Sequence, residues 1–438
     1  MQSLTGDLSS SIAVLALLLL PLVLAAFGRD AKRGNRAAEF ALNQGRNGPL
    51  ATFAGALSGN IGIGSFVALY LFTAESPVLG FSIALAYSLG LVLCAALAGT
   101  IRKVAGERGT VGLIDLVAMS EGRTGRRIVF ACFAFVFVLR SAIQLAALGL
   151  LTAPFLGGDV TVAVIASGLL IALYLLIGGY RAAVETDIVQ AGVIILAMAI
   201  CMAGLPSLAA PERPFFAFGE YRPALLAGVW LFIPWSAVLA VDNWQRITLA
   251  RSDSVAQVSY LAAALVCGLL FWGMAYAGYA APPGTDVFET YARLAPAAMP
   301  WIATVMFVAC IMSSIDTFIM ALVVGGNRDA GISAMRGMIL VLTGLATAAA
   351  ILFGDLLSTV VAAFNSLAVF LPAALGALFL RAPGRFAAPI SMSLGLFAAI
   401  AFTFVDVNSA SLVGFCFAAL SYGLMSRLPQ GGAPHSSR

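Results

Sequence analysis

A chain of 438 residues with 61% hydrophobic and only 10% charged side chains lies far outside the soluble range, where about 25% of residues are charged. The net charge of +4 says little about partners until the basic residues are placed by loop; no nucleic-acid partner is expected. The single histidine, His435, sits in a polar tail, which excludes histidine-based catalysis and a His-ligated metal, so no enzyme is expected.

Repeated apolar runs of about 20 residues predict an all-α polytopic membrane protein, because a β-barrel would show shorter, alternating segments. Thirteen candidate spans follow in order: 9–27, 49–74, 78–101, 128–154, 158–178, 185–207, 224–244, 256–280, 298–324, 335–353, 356–380, 386–404 and 408–426. The first lacks a basic segment in front of it and reads as a retained span, not a signal peptide. All six cysteines fall inside apolar runs, with no disulfide framework or metal-ligand spacing.

Of the 24 basic residues, Arg213, Arg222 and Arg293 fall in one set of loops and Arg140 inside a span. The rest, Arg246 among them, fall in the other loops and the C-terminal tail. The positive-inside rule makes the rich set cytoplasmic, with the N-terminus outside and the C-terminus, including the tail 427–438, inside. A bacterial cytoplasmic (inner) membrane is the expected location. The longest loops are too short for a soluble catalytic domain, so one transmembrane domain over 1–438 is expected.

Two spans are poorly suited to continuous helices. The second carries Gly55, Gly59, Gly62 and Gly64 around Asn60, and the seventh carries Pro234 in its middle. Interrupted spans at matching places in two halves of a chain point to a transporter site; close helix packing is the structural alternative. The halves would be 49–207 and 224–380. Ser58 and Asn60 at the first break, Trp235 and Ser236 at the second, and Asn365 in the eleventh span are substrate-pocket candidates.

The ninth span, Trp301 to Val324, holds Ser313, Ser314, Asp316 and Thr317 at lipid depth. A carboxylate and hydroxyls there are expensive unless they serve a cation or a proton. Cys310, Ser313, Ser314 and Thr317 share one helical face, with Asp316 on its flank. Helix packing alone is the other reading of Asp316. Arg140 lies in the fourth span about 20 Å beyond Arg127 at 1.5 Å per residue, with Ser141 and Gln144 on the same side. A guanidinium at that depth needs an anion, either a substrate carboxylate or a protein one.

Residues Gly178 to Gln190, GGYRAAVETDIVQ, resemble the signature of the sodium:solute symporter family: a Gly-Gly turn, small residues, then Thr186, Asp187 and Gln190. The physics is intelligible, since glycines permit the turn, Thr186 can cap and Asp187 suits the first turn. Glu39–Ser58, Asp242–Ser252, Ala309–Thr317 and Phe370–Arg381 are similar to other parts of that family.

The resemblance implies a LeuT-type 5+5 inverted repeat with one extra N-terminal helix (9–27) and two peripheral C-terminal ones (386–426). It implies a sodium ion, as coupling ion, held by the carbonyls of Ala54, Leu57 and Cys310 and the hydroxyls of Ser313 and Ser314. A second cation or proton site would draw on Ser313, Asp187, Asp316 and Thr317. Ala56 and Asp316 depart from the family pattern, the former where polar residues are common and the latter where a hydroxyl is usual.

The expected function is sodium-driven uptake of a small organic solute, carrying a carboxylate, by alternating access. The alternatives are proton coupling through Asp316 and Asp187, or a transporter-like sensor without significant flux. The other expected partner is the lipid bilayer, and a monomer or weak homo-oligomer is expected.

Overall fold

The computed structural model describes residues 8–27, 40–42, 47–208, 214–219, 221–282, 284–327, 331–352, 367–380, 384, 386–406 and 409–427. Its helices are α1 (Leu8–Phe27), α2 (Pro49–Asn60), α3 (Ile63–Glu75), α4 (Pro77–Arg108), α5 (Leu113–Ala118), α6 (Arg123–Thr152), α7 (Val160–Ala203), α8 (Ala224–Leu239), α9 (Val241–Leu249), α10 (Asp253–Ala280), α11 (Val287–Leu294), α12 (Ile302–Asn327), α13 (Ile332–Leu352), α14 (Leu371–Phe379), α15 (Ala387–Thr403) and α16 (Ala410–Ser426).

Twelve of the thirteen expected spans coincide with a described helix, part of one or a bent pair; the eleventh, 356–380, lies partly outside the described residues and ends in α14. Among the described residues six helices are long and apolar enough to cross a bilayer, or eight if each bent pair is one span, and four shorter apolar helices accompany them. The fifth and sixth spans form the one long α7, interrupted at Gly179, where φ is 59° and ψ −147°. Only glycine adopts that backbone freely, and the Phe40 carbonyl leaves no room for a Cβ. Thr186 and Asp187 therefore lie beyond the first turn after the break. Thr186 Oγ1 donates to the Ala182 and Ala183 carbonyls at 2.9 Å, so it is not the cap that the sequence led us to expect.

Both interrupted spans are broken. α2 and α3 meet at 49° across Ile61 and Gly62, and α8 and α9 meet at 50°. Pro234 lies inside α8, and that break falls at Ala240, several residues later than the proline suggests. The segment 241–249 is thus a half-helix and not a loop. It is tied to the start of α2 by a parallel bridge: Asn47 N donates to Leu249 O at 3.0 Å, and Arg251 N to Asn47 O at 2.9 Å.

α12 is enclosed on all sides, buried throughout its apolar window, whereas the corresponding window of α13 is only 33% buried. A helix apolar all round demands such a position. It packs on α6, α7 and α2, and this brings its polar face against the first broken span.

Candidate functional site

The geometry begins with two small residues. Ser313 Oγ donates to the Ser58 carbonyl at 3.2 Å and to the Cys310 carbonyl at 3.1 Å. Ser314 Oγ donates to the same Cys310 carbonyl at 2.9 Å. α12 and α2 therefore meet here through hydroxyl and carbonyl oxygens. Ala54, Leu57, Cys310, Ser313 and Ser314 are each at most 1% exposed. Such oxygen donors are hard ligands suited to a small monovalent cation.

Asp187, Asp316 and Thr317 do come together. Thr317 Oγ1 lies 3.3 Å from Asp316 Oδ1, and Asp316 Oδ2 accepts from Tyr174 OH at 3.1 Å and Thr186 Oγ1 at 3.3 Å. Asp187 accepts from Ser58 Oγ at 2.7 Å.

Arg246 sits among them, and the sequence reading had placed it in a cytoplasmic loop. It is 4% exposed. Its guanidinium donates to Asp242 Oδ2 at 2.8 Å, Asp187 Oδ2 at 2.8 Å and Thr317 Oγ1 at 2.7 Å. The signal was the i, i+4 spacing of Asp242 and Arg246, which pairs charges on a helix; reading the stretch as a loop hid it.

The guanidinium also accounts for two glycines. A Cβ on Gly55 would collide with Arg246 Nε, and one on Gly59 with its Nη1. These two residues do not break the helix. They leave a groove along α2 in which the guanidinium lies.

Asn60 joins the two broken spans. Its Nδ2 donates to Asn243 Oδ1 at 3.0 Å, while Asn243 Nδ2 returns a bond to Asn60 Oδ1 at 3.2 Å. Tyr87 OH also donates to Asn60 Oδ1 at 3.2 Å, and Tyr260 OH to Asn243 Oδ1 at 3.0 Å. Neither Asn243 nor the tyrosines stood out in the sequence.

A helix start leaves backbone donors without partners inside the helix, and at α3 the Gln144 side chain and the Gly62 carbonyl take several of them up. Gln144 Oε1 accepts from Ile63 N at 3.0 Å, and a Cβ on Gly62 would come within 2.7 Å of Ser314 Oγ. Arg140, Gln144, Asn60, Ser65, Ser314 and Phe318 line a small cleft at this point. The Arg140 guanidinium stacks 4.8 Å from the Phe318 ring centroid and 5.3 Å from that of Phe137. A guanidinium and a helix N-terminus facing one cleft favour an anion there.

The other pocket candidates divide. Ser141 Oγ turns back onto the Phe137 carbonyl at 2.9 Å. Ser236 lines a second, larger cavity of about 480 Å³, while Trp235 is partly buried against the core. Asn365 lies outside the described residues.

Residues 41–210 match the sequence profile of the sodium:solute symporter family. No curated protein matches the chain in sequence. Among solved structures, a Na+-coupled sialic acid symporter in a substrate-bound outward-open state aligns at a TM-score of 0.76 with 13% identity, covering 98% of this chain and 100% of that one. Mhp1, a nucleobase-cation-symport-1 family transporter, aligns in its closed, bromovinylhydantoin-bound form at 0.57, with 13% identity over 89% of this chain and 94% of that one. Its inward-facing form aligns at 0.60, again at 13% identity, over 91% and 94%. At such identity these structures speak for the fold, and the proteins matched are transporters, not enzymes. The resemblance carried by Gly178–Gln190 is thus borne out over residues 41–210, and the chain as a whole has the LeuT-type fold.

Proposed function

We propose that the chain is a secondary symporter that couples inward sodium flow to uptake of a small organic solute bearing a carboxylate. Two five-helix halves, 49–207 and 224–380, form one transport unit in a bacterial cytoplasmic membrane, with the N-terminus outside. The observation that carries the reading is the meeting of Ser313 and Ser314 with the broken α2–α3 span, where oxygen donors for a cation adjoin a cleft suited to an anion. A cation that holds α12 to α2 also fixes the α3 N-terminus that faces the solute, so each ligand improves the site of the other. Proximity of this kind makes coupling reciprocal.

Arg140→Gln is the test of the anion. The variant removes the fixed charge and keeps polar bulk, so sodium-driven uptake of an acidic solute into proteoliposomes should be abolished while sodium binding persists. Normal uptake by this variant ends the carboxylate assignment.

One observation favours proton coupling as a second reading. Asp316 is fully buried; it takes hydrogen bonds from the Tyr174, Thr186 and Thr317 hydroxyls and the Thr317 backbone, and the nearby Arg246 forms its ion pairs with Asp187 and Asp242 instead. An uncompensated buried carboxylate takes up a proton or a cation. Asp187 and Tyr174 of α7, Arg246 of α9 and Thr317 of α12 are the groups around it. Asp316→Asn separates the two: uptake driven by a pH gradient and lost in this variant supports the proton, whereas sodium-driven uptake that survives it leaves the coupling with Ser313 and Ser314.

A further inference from the structure

The 480 Å³ cavity is of the size that small-molecule sites have, about 300–1,000 Å³. It runs between α3, α4, α8 and α10, and reaches Leu367, Ala368 and the start of α16. Ser65 lines both this cavity and the small cleft at Arg140, so the two adjoin at the first turn of α3. They differ sharply in chemistry.

Within the helices, the cavity's polar lining among the described residues consists of hydroxyls, and three of them are already committed as donors. Ser65 Oγ donates to the Asn60 carbonyl at 3.1 Å, Ser236 Oγ to the Ile233 carbonyl at 2.6 Å, and Tyr87 OH to Asn60 Oδ1 at 3.2 Å. The rest of the helical wall is aliphatic or aromatic: Leu69, Phe72, Ile83, Phe232 and Phe271 are representative. The charged lining residues, Arg222 and Asp406, lie in the segments that flank α8 and α16.

A polyhydroxylated or zwitterionic solute placed here would find few groups on the helical wall to pair with, and each buried polar group left unpaired costs roughly 1–3 kcal/mol. An apolar body has no such penalty. We infer that the solute is an amphipathic monocarboxylate, with its carboxylate in the Arg140 cleft and an alkyl or aryl body in the cavity between α3, α4 and α8. This inference rests on the symporter reading above and adds the class of solute. It separates this chain from the sialic acid symporter that it resembles in fold, because an acidic sugar would bring many hydroxyls to a wall that is mostly apolar among the described residues.

The test is titration calorimetry of the purified full chain in sodium with propionate, butyrate, hexanoate and octanoate, and with hexanamide and gluconate as controls. Affinity should rise about three- to fourfold per added methylene, the gain expected from burying each group. Hexanamide and gluconate should bind far more weakly than hexanoate. Gly228 lines the cavity and has nothing within 4 Å of a Cβ built on it, so a side chain can start there, and Gly228→Trp adds bulk to the wall. That variant should lose the gain in affinity from longer chains.

An affinity that is flat or falling with chain length, or gluconate binding as tightly as hexanoate, overturns the inference and leaves the carboxylate assignment standing. Hexanamide binding as tightly as hexanoate removes the carboxylate and with it the inference, while sodium coupling remains open to its own test. If none of the acids binds, the inference also falls.

Discussion

Replacement of Arg246 by Met should unfold or severely weaken the protein. The guanidinium offsets Asp187 and Asp242 at once and holds Thr317, with all four side chains 5% exposed or less. Removing one partner from a buried ionic network typically costs about 3–5 kcal/mol, because the remaining charges stay desolvated. A methionine fills much of the same volume, so the loss would be electrostatic and not a cavity. Melting of the detergent-solubilised protein is the check: a large drop for Arg246→Met, partly recovered when Asp187→Asn is added to remove one stranded carboxylate. A melting temperature equal to the parent's would mean that water already solvates the cluster and that the network carries little stability.

The second large effect concerns Ser313. Its hydroxyl is fully buried and lies between the Ser58 and Cys310 carbonyls. An oxygen contact to a bare cation is expected to be worth at least what a hydrogen bond to a charged group is, about 1.5–3 kcal/mol. Ser313→Ala should therefore weaken sodium binding roughly tenfold to a hundredfold. The substitution swaps a hydroxymethyl for a methyl: the Cys310 carbonyl stays within α12, while the Ser58 carbonyl, in the last turn of α2, loses the donor it has here, a cost of about 0.5–1.5 kcal/mol that leaves the fold in place. A ligand stabilises the state it binds, so the parent should melt higher in sodium than in potassium, and the variant should show a much smaller difference. Equal sodium stabilisation in the two proteins removes Ser313 from the ion's shell.

How much of this could be read beforehand depends on which part of the physics is local. Apolar runs long enough to span a bilayer are local, and the expected spans that fall within the described residues have their helices. The breaks were legible because glycine and proline are costly in a helix interior, but the roles of individual glycines were not. Gly55 and Gly59 serve the passage of Arg246, a side chain far away in sequence, and Gly62 serves the approach of Ser314 and Gln144. Arg246 itself was misplaced because its charge matched the cytoplasmic loops, while its burial depends on partners from α7 and α12. Asp187, Asp316 and Thr317 were grouped correctly from the family resemblance. Their arginine partner needed the fold. The same holds for Gln144, which sequence placed near a solute and which the structure places on the α3 backbone, at the edge of the cleft.

The central claim is that sodium and solute move together through the junction of α12 with the broken α2–α3 span. Radioactive sodium influx into proteoliposomes, measured with and without mixtures of organic acids, amino acids, sugars and nucleobases outside, tests it most directly. The account predicts influx that the acid mixture stimulates in the parent and that Ser313→Ala loses. Influx that no mixture stimulates, or that Ser313→Ala carries as well as the parent, would contradict it.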